Sequence, residues 1–600
     1  MNNSHSSQTK PRCAERTLCY YECVDCILSS RKAADEFWKG VVASRMSPLK
    51  APNLFPPLHV ESEELSQVHA EYDAMRAELL KIAHWRNALT PTCRLLPELL
   101  VVIFRFCQIN EPLQPNYATS CISWIKVTHV CRIWRAVALA HPELWVRVNM
   151  GMSSTGVAEM IHRSKKVELC FDDQGAVPMP WPEFVEQALF RTRSIDWHPT
   201  SSNEILQVLT LPMPRMESLC IDYSWGHGGQ PPSTPPRLDA PRLRHLHLRH
   251  CGRHVAWTSS SCLHNLVSLE LTTAWWNDNN KSLPPTFTEV LYALKKMLLL
   301  ECLVLERCLP HSPPNHSHPI IELPNLSRCT LTDNWLDVVN VLTPLRTQCD
   351  VELTLYVYMD SNTLPGRSDY TPLINCLHTY FNGQAQSHLL ELDLLDMGKS
   401  SYLRVLASPQ RELDDNRRAG AQIDFIWSTP EDDVLDHPGR ASFVRLLAQS
   451  LPIAHVTIIG VELAVEADVW CYILRRAVCL EEIRASGRAG ISLCQVLADI
   501  DVSPGILGGV TPHSHCGEKL KKLTIFSVQF LAAPDVAENK EKDAAECLRV
   551  WTARRKECGH PIASLELIQC IGVEEHLEGW KASLADGLTV FNSTDGDGTQ

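Results

Sequence analysis

One short pattern recurs along most of this chain and limits what it can fold into. Leucines stand at the first, fourth and sixth places in Leu243-x-x-Leu246-x-Leu248, Leu266-x-x-Leu269-x-Leu271, Leu300-x-x-Leu303-x-Leu305 and, with Ile leading, Ile562-x-x-Leu565-x-Leu567. Met216 to Ile221 and Leu326 to Leu331 are close variants, and apolar runs at 351–355, 389–394, 423–426, 453–458, 480–483 and 520–525 continue the series. In a strand, alternation puts the last two leucines of each hexad on one face, while the first closes the turn before it. So short an element cannot bury its own apolar face. Many such units must stack to build one continuous core. Helical patterns at 287–297, 336–342 and 464–477 lie between the hexads.

The hexads are unevenly spaced: 27 residues from Leu219 to Leu246, 23 on to Leu269 and 34 on to Leu303. The region resembles a leucine-rich-repeat array, whose period is roughly 20–29 residues, here stretched by insertions. Cys251, Cys308 and Cys570 follow strands where such repeats often carry Asn or Cys. The resemblance implies a strand-plus-helix solenoid over residues 157–576, with a helix at 157–164 and a first strand at 167–171. A polar insertion loop is expected at 397–418 and a C-terminal tail at 577–600. The outward strand residues, among them Glu217, Arg244, His245, His247, Arg249, Glu270, Glu306 and Arg307, would form a broad partner-binding surface.

Ahead of this region the character changes twice. Residues 1–60 are rich in Pro, Ser and charge and are expected to be irregular. Residues 61–89 read as an amphipathic helix. Leu65, Val68, Tyr72, Met75, Leu79, Ile82 and Leu89 follow steps of three and four, with Arg86 in the one interrupted place. This is a 3.5-residue seam. A seam of about three heptads is marginal as a free-standing coiled coil, so the preferred reading is a lone helix that lays it on the next domain; a dimerising coil is the alternative.

Thr90-Pro91 ends that helix. Pro97 and Glu98 suit the first turn of another, since Pro is tolerated there and an acid favours the positive helix end. Leu96, Leu99, Leu100, Ile103, Phe104 and Cys107 form its broad apolar face, and 107–121 reads as a loop. Trp124, Val127, Val130, Cys131, Trp134, Val137 and Ala138 recur at helical spacing, and Pro142 to Trp145 add a last anchor. Together Leu95-Leu96-Pro97-Glu98-Leu99-Leu100, Ile103-Phe104, Val130-Cys131, Trp134-Arg135 and Pro142-x-x-Trp145, preceded by Arg86-Asn87-Ala88-Leu89, resemble an F-box of the kind common in mushroom-forming fungi, over residues 90–148. The resemblance implies a small helical unit that docks onto an SKP-type adaptor of a cullin–RING (SCF-type) ubiquitin ligase. Carried over by position, Leu96, Pro97, Leu99, Leu100, Ile103, Val130, Trp134 and Trp145 would face the adaptor. A unit this small also has too little core to bury so many apolar side chains, which by itself suggests a partner surface.

Composition narrows the alternatives. With 45% apolar and 21% charged residues the 600-residue chain is globular, and a net charge of −13 is a poor basis for holding nucleic-acid phosphates. The polar opening MNNSHSSQTK suggests no secretory signal, and no uninterrupted apolar run is long enough for a membrane span. The 24 cysteines are spread mostly singly from Cys13 to Cys570 and are expected to be free thiols in the cytoplasm or nucleus. Motifs for nucleotide, zinc-protease or serine-hydrolase chemistry are missing. Cys13, Cys19, Cys23 and Cys26 lack the two separated knuckles of a zinc site, and His513, His515 and Cys516 lie in a Gly/Pro-rich loop without a fourth ligand. No cofactor or metal is called for. The sequence therefore points to a small helical F-box followed by an irregular α/β array, serving as the substrate-recruiting subunit of a ubiquitin ligase rather than as an enzyme. The alternative is a scaffold that uses the repeat surface alone.

Overall fold

The computed structural model describes residues 24–46, 62–111, 123–172, 183–199, 201–223, 238–251, 257, 261–273, 286–310, 320–347, 351–359, 369–383, 390–396, 402–408, 421–427, 438–462, 465–500, 519–530, 543–585 and 587–591. The chain divides into two compact units: Met1–Leu100 with Thr128–Arg135, and Val101–Val127 with Ala136–Gln600.

In the first unit, helices span Val24–Met46 and Ser62–Leu89. The first falls inside the segment expected to be irregular. Its interior carries Arg31, Lys32, Ala33, Ala34, Glu36 and Lys39 and contains no proline, so helix propensity prevails there. Arg45 reaches Glu71 on the second helix at 2.5 Å. Among the described residues nothing covers the seam of that second helix: Leu65, Val68, Tyr72, Met75, Leu79, Ile82 and Leu89 are each at least 37% exposed. The preferred sequence reading of this helix is thereby corrected.

The second unit is mixed α/β, built on a large, mostly parallel sheet. Its strands are β1 (Arg147–Asn149), β2 (Leu169–Asp172), β3 (Thr192–Trp197), β4 (Ser218–Asp222), β5 (His245–Arg249), β6 (Ser268–Thr272), β7 (Cys302–Glu306), β8 (Ile321–Glu322), β9 (Arg328–Asn334) and β10 (Leu345–Arg346). They continue with β11 (Glu352–Met359), β12 (Glu391–Asp396), β13 (Tyr402–Ser408), β14 (Ala421–Trp427), β15 (Ile458–Val461), β16 (Glu482–Ser486), β17 (Lys522–Phe526), β18 (Ser564–Ile568) and β19 (Gly587–Phe591). From β1 to β7 each strand is parallel to the next, and β9 and β11 extend the series. The order then reverses locally: β14 lies parallel to β11, β13 and β12 follow antiparallel, and β15 rejoins in parallel. β16 to β19 complete the sheet, and β8 pairs only with β10.

Register turns the leucine pattern into a core. Ile195, Leu219, Leu246, Leu269 and Leu303 stand side by side across neighbouring strands, and two residues on so do Trp197, Ile221, Leu248, Leu271 and Leu305. All ten are buried. Among the later helices, each from Trp335–Leu342 to Leu577–Ser583 packs on the next.

The turns after four strands share one conformation. His250, Arg307, Ser527 and Gln569, each directly after a strand, have φ of 61, 56, 51 and 55°, a left-handed geometry unusual for residues with a Cβ. The residue after each, Cys251, Cys308, Val528 or Cys570, is buried. The three thiols donate one strand back: Cys251 to the Ile221 carbonyl at 3.8 Å, Cys308 to Leu271 at 3.3 Å and Cys570 to Ile525 at 3.5 Å.

Several sequence expectations change. Within the expected loop at 397–418, β13 forms because Leu403, Val405 and Ala407 alternate inward. The sheet opens with β1, inside the span assigned to the small helical unit, and closes with β19, inside the assigned tail. Ile453–His455 is a 3₁₀ turn leading into β15 rather than part of a strand. Among the described residues no helix is long and apolar enough to cross a membrane.

Candidate functional site

The helix Pro97–Asn110 opens the F-box-like motif, with Pro97 in its first turn and Glu98 beside it. Its sequence PELLVVIFRFCQIN is apolar nearly all round, more than one buried face requires. Leu100, Val101 and Phe104 are fully or almost fully buried. Leu99, Val102, Phe106 and Ile109 are 50, 47, 60 and 67% exposed. Their steps of three, four and three place them on one stripe of the helix.

The candidate residues divide by burial. Leu96, Pro97, Leu99 and Val130 are exposed, and Ile103 and Trp134 are half-buried. Leu100 and Trp145 are buried, so they belong to the core and not to a surface. Trp145 is held on several sides. Its indole N–H donates to the Ala138 carbonyl at 2.8 Å, its ring lies 5.2 Å from that of Trp124, and the Arg163 guanidinium stands 4.3 Å above it. Gln108, on the same helix as Phe106, donates to the Leu144 carbonyl at 3.0 Å. In the first unit, Cys93 and Cys131 approach at 3.7 Å between sulfurs, and the Trp134 backbone N–H donates to the Cys131 thiol at 3.5 Å.

Val102, Phe106 and Ile109 were not among the candidates. Their signal was the helix's excess of apolar residues. Motif position alone favoured Leu100 and Trp145, which the fold uses internally.

The second candidate surface is the polar face of the sheet. Cys220, His247 and Glu270 stand side by side in register, and Glu306, Thr332, Tyr356, Asp424 and Arg404 form a second row. Glu270 accepts both guanidinium bonds of Arg249, at 2.6 and 3.2 Å, and lies 3.8 Å from His247. Arg193 donates to Glu217 at 2.8 Å, and Arg307 to the Tyr358 hydroxyl at 2.6 Å. Arg244 is exposed and His245 half-buried.

Burial lowers the His247 pKa against the pull of Glu270, and burial together with the Glu270 charge raises that of Glu306. The Cys220 thiol is pushed up to about 12 by burial and by Asp196, so it is no nucleophile at neutral pH. Tyr356 and Tyr358, which the alternation of ELTLYVYM turns outward, add aromatic surface that the hexad reading passed over. The arrangement is a field of paired charges suited to recognition.

Among the described residues no group of three or more His, Cys, Asp and Glu is placed to hold a metal ion. Cys13, Cys19, Cys23, His513, His515 and Cys516 lie outside the described residues, and Cys26 falls within the Val24–Met46 helix. Every cysteine whose side chain is described is a free thiol. Compared with known proteins, the chain matches no protein-family model and no curated protein.

Proposed function

We propose that this chain is the substrate-recruiting F-box subunit of an SCF-type ubiquitin ligase, holding an SKP-type adaptor, and through it a cullin, near residues 90–148. The observation that carries the reading is the stripe Leu99, Val102, Phe106 and Ile109, left exposed on the helix that opens the motif. Large apolar side chains gathered on one exposed helix face are characteristic of helix-in-groove recognition. The repeat region is read as an irregular leucine-rich-repeat-like array. The leucine rows and the thiol bonds of Cys251, Cys308 and Cys570 support this. Its polar sheet face would hold a protein substrate, and catalysis would belong to other subunits.

The test is binding of the full chain to a purified SKP-type adaptor. Phe106→Asp should weaken it by about 10–100-fold, the equivalent of roughly 1.5–3 kcal/mol for one large apolar contact, with the melting temperature unchanged. If the wild-type chain shows no adaptor binding at about 100 µM, the ligase reading fails and the scaffold reading takes its place.

A further inference from the structure

We infer that the helix Ser62–Leu89 joins two copies of this chain as a parallel two-stranded coiled coil. Two observations meet here. Along the helix, the apolar residues repeat with a 3.5-residue period: Leu65, Tyr72 and Leu79 take the first place of each heptad, and Val68, Met75 and Ile82 the fourth. In the folded chain this whole seam is solvent-exposed. A 28-residue helix with a bare seam at coiled-coil period is built for another helix of the same kind.

The charges flanking the seam identify that helix. In this register Glu71 and Glu78 occupy the seventh place of their heptads, and His69 and Arg76 the fifth. In a parallel pair the seventh place of one chain meets the fifth place of the next heptad in the other. Glu71 then faces Arg76 of the second copy, and two-fold symmetry makes the contact twice. In an antiparallel pair the seventh places face each other and bring glutamates together. The pattern is thus self-complementary in one orientation only. Arg86, in a first place, sets its own charge against the symmetry copy, so the seam ends after Ile82. Glu71 already pairs with Arg45 of its own chain. Arg45 donates to both carboxylate oxygens of Glu71, at 2.5 and 3.3 Å, and each oxygen keeps a second lone pair that can accept from Arg76 of the other copy.

The experiment is sedimentation equilibrium of the full chain at about 1–100 µM, where the mass should approach twice 67.5 kDa. Leu79→Lys changes an exposed residue, so the fold should persist by circular dichroism while the mass falls to that of one chain. Arg76→Glu and Glu71→Lys should each weaken association by about 10-fold or more, and mixing the two variants should restore it, because each then offers the other an opposite charge. Three results overturn the inference: a monomeric wild type across the range, a dimer indifferent to Leu79→Lys, or a mixture no tighter than its components. If the chain is monomeric and Leu79→Lys instead weakens adaptor binding, the seam belongs to the adaptor.

Discussion

The Cys308 thiol donates to the Leu271 carbonyl at 3.3 Å, from the turn after β7 back to β6. Arg307, in the left-handed conformation just before it, aims that side chain inward. The same geometry recurs at Cys251 and Cys570, so a thiol repeatedly donates to a carbonyl near the end of the neighbouring strand.

Replacing Cys308 by Ala removes a weak donor and leaves a buried carbonyl without it. The expected loss is about 1–2 kcal/mol of stability, read as a lower urea midpoint. Cys558→Ala, at an exposed position, should stay within about 0.5 kcal/mol of wild type. Equal effects of the two changes would remove the structural role of the Cys308 bond.

Arg404 holds the fully buried Asp424 with two bonds, at 2.8 and 3.1 Å, and Gln422 adds a third at 3.1 Å. Arg404→Met should cost about 3–5 kcal/mol, since it removes the cation that pairs with a fully buried carboxylate. The paired change Arg404→Met with Asp424→Leu should recover most of that loss. Thermal unfolding of the three variants checks both statements.

Leu100 and Phe106 stand on the same helix, one buried and one exposed. Leu100→Ala should lower stability by about 2–5 kcal/mol through the cavity it leaves. Phe106→Asp should leave stability nearly unchanged. If both variants melt alike, burial does not separate the two roles.

The buried thiols fix a direction for stability at high pH. Folding raises Cys220 and Cys329 from 9.0 to about 12, chiefly by burial. Below about pH 8.5 the thiols are protonated in both states, and their contribution to stability is fully present. Between that point and about 12 the unfolded chain binds fewer protons than the folded one, so stability falls as pH rises. Denaturation midpoints across this range should decline, and the decline should lessen in Cys220→Ala. Among the cysteines with described side chains, exposed Cys558 should be alkylated first in the native protein, by peptide mapping.

The leucine hexads were legible as strands because alternation with period two is local. Ser268–Thr272 and Cys302–Glu306 form where the pattern puts them. The Cys251, Cys308 and Cys570 positions were legible for the same reason, since each directly follows a strand and its turn. The 3.5-residue seam at 65–82 was legible too, because one helix sets its own periodicity.

What covers a face depends on residues distant in sequence, and there tertiary structure decided. It buried Leu100 and Trp145 while leaving Leu99 and Phe106 outside. It drew Arg147–Asn149 into the sheet beside Leu169–Asp172 and placed Tyr402–Ser408 between two antiparallel neighbours. It also left the Ser62–Leu89 seam bare. The sequence determined which residues need burial. Pairing register and packing, set by long-range contacts, determined which of them find it within one chain.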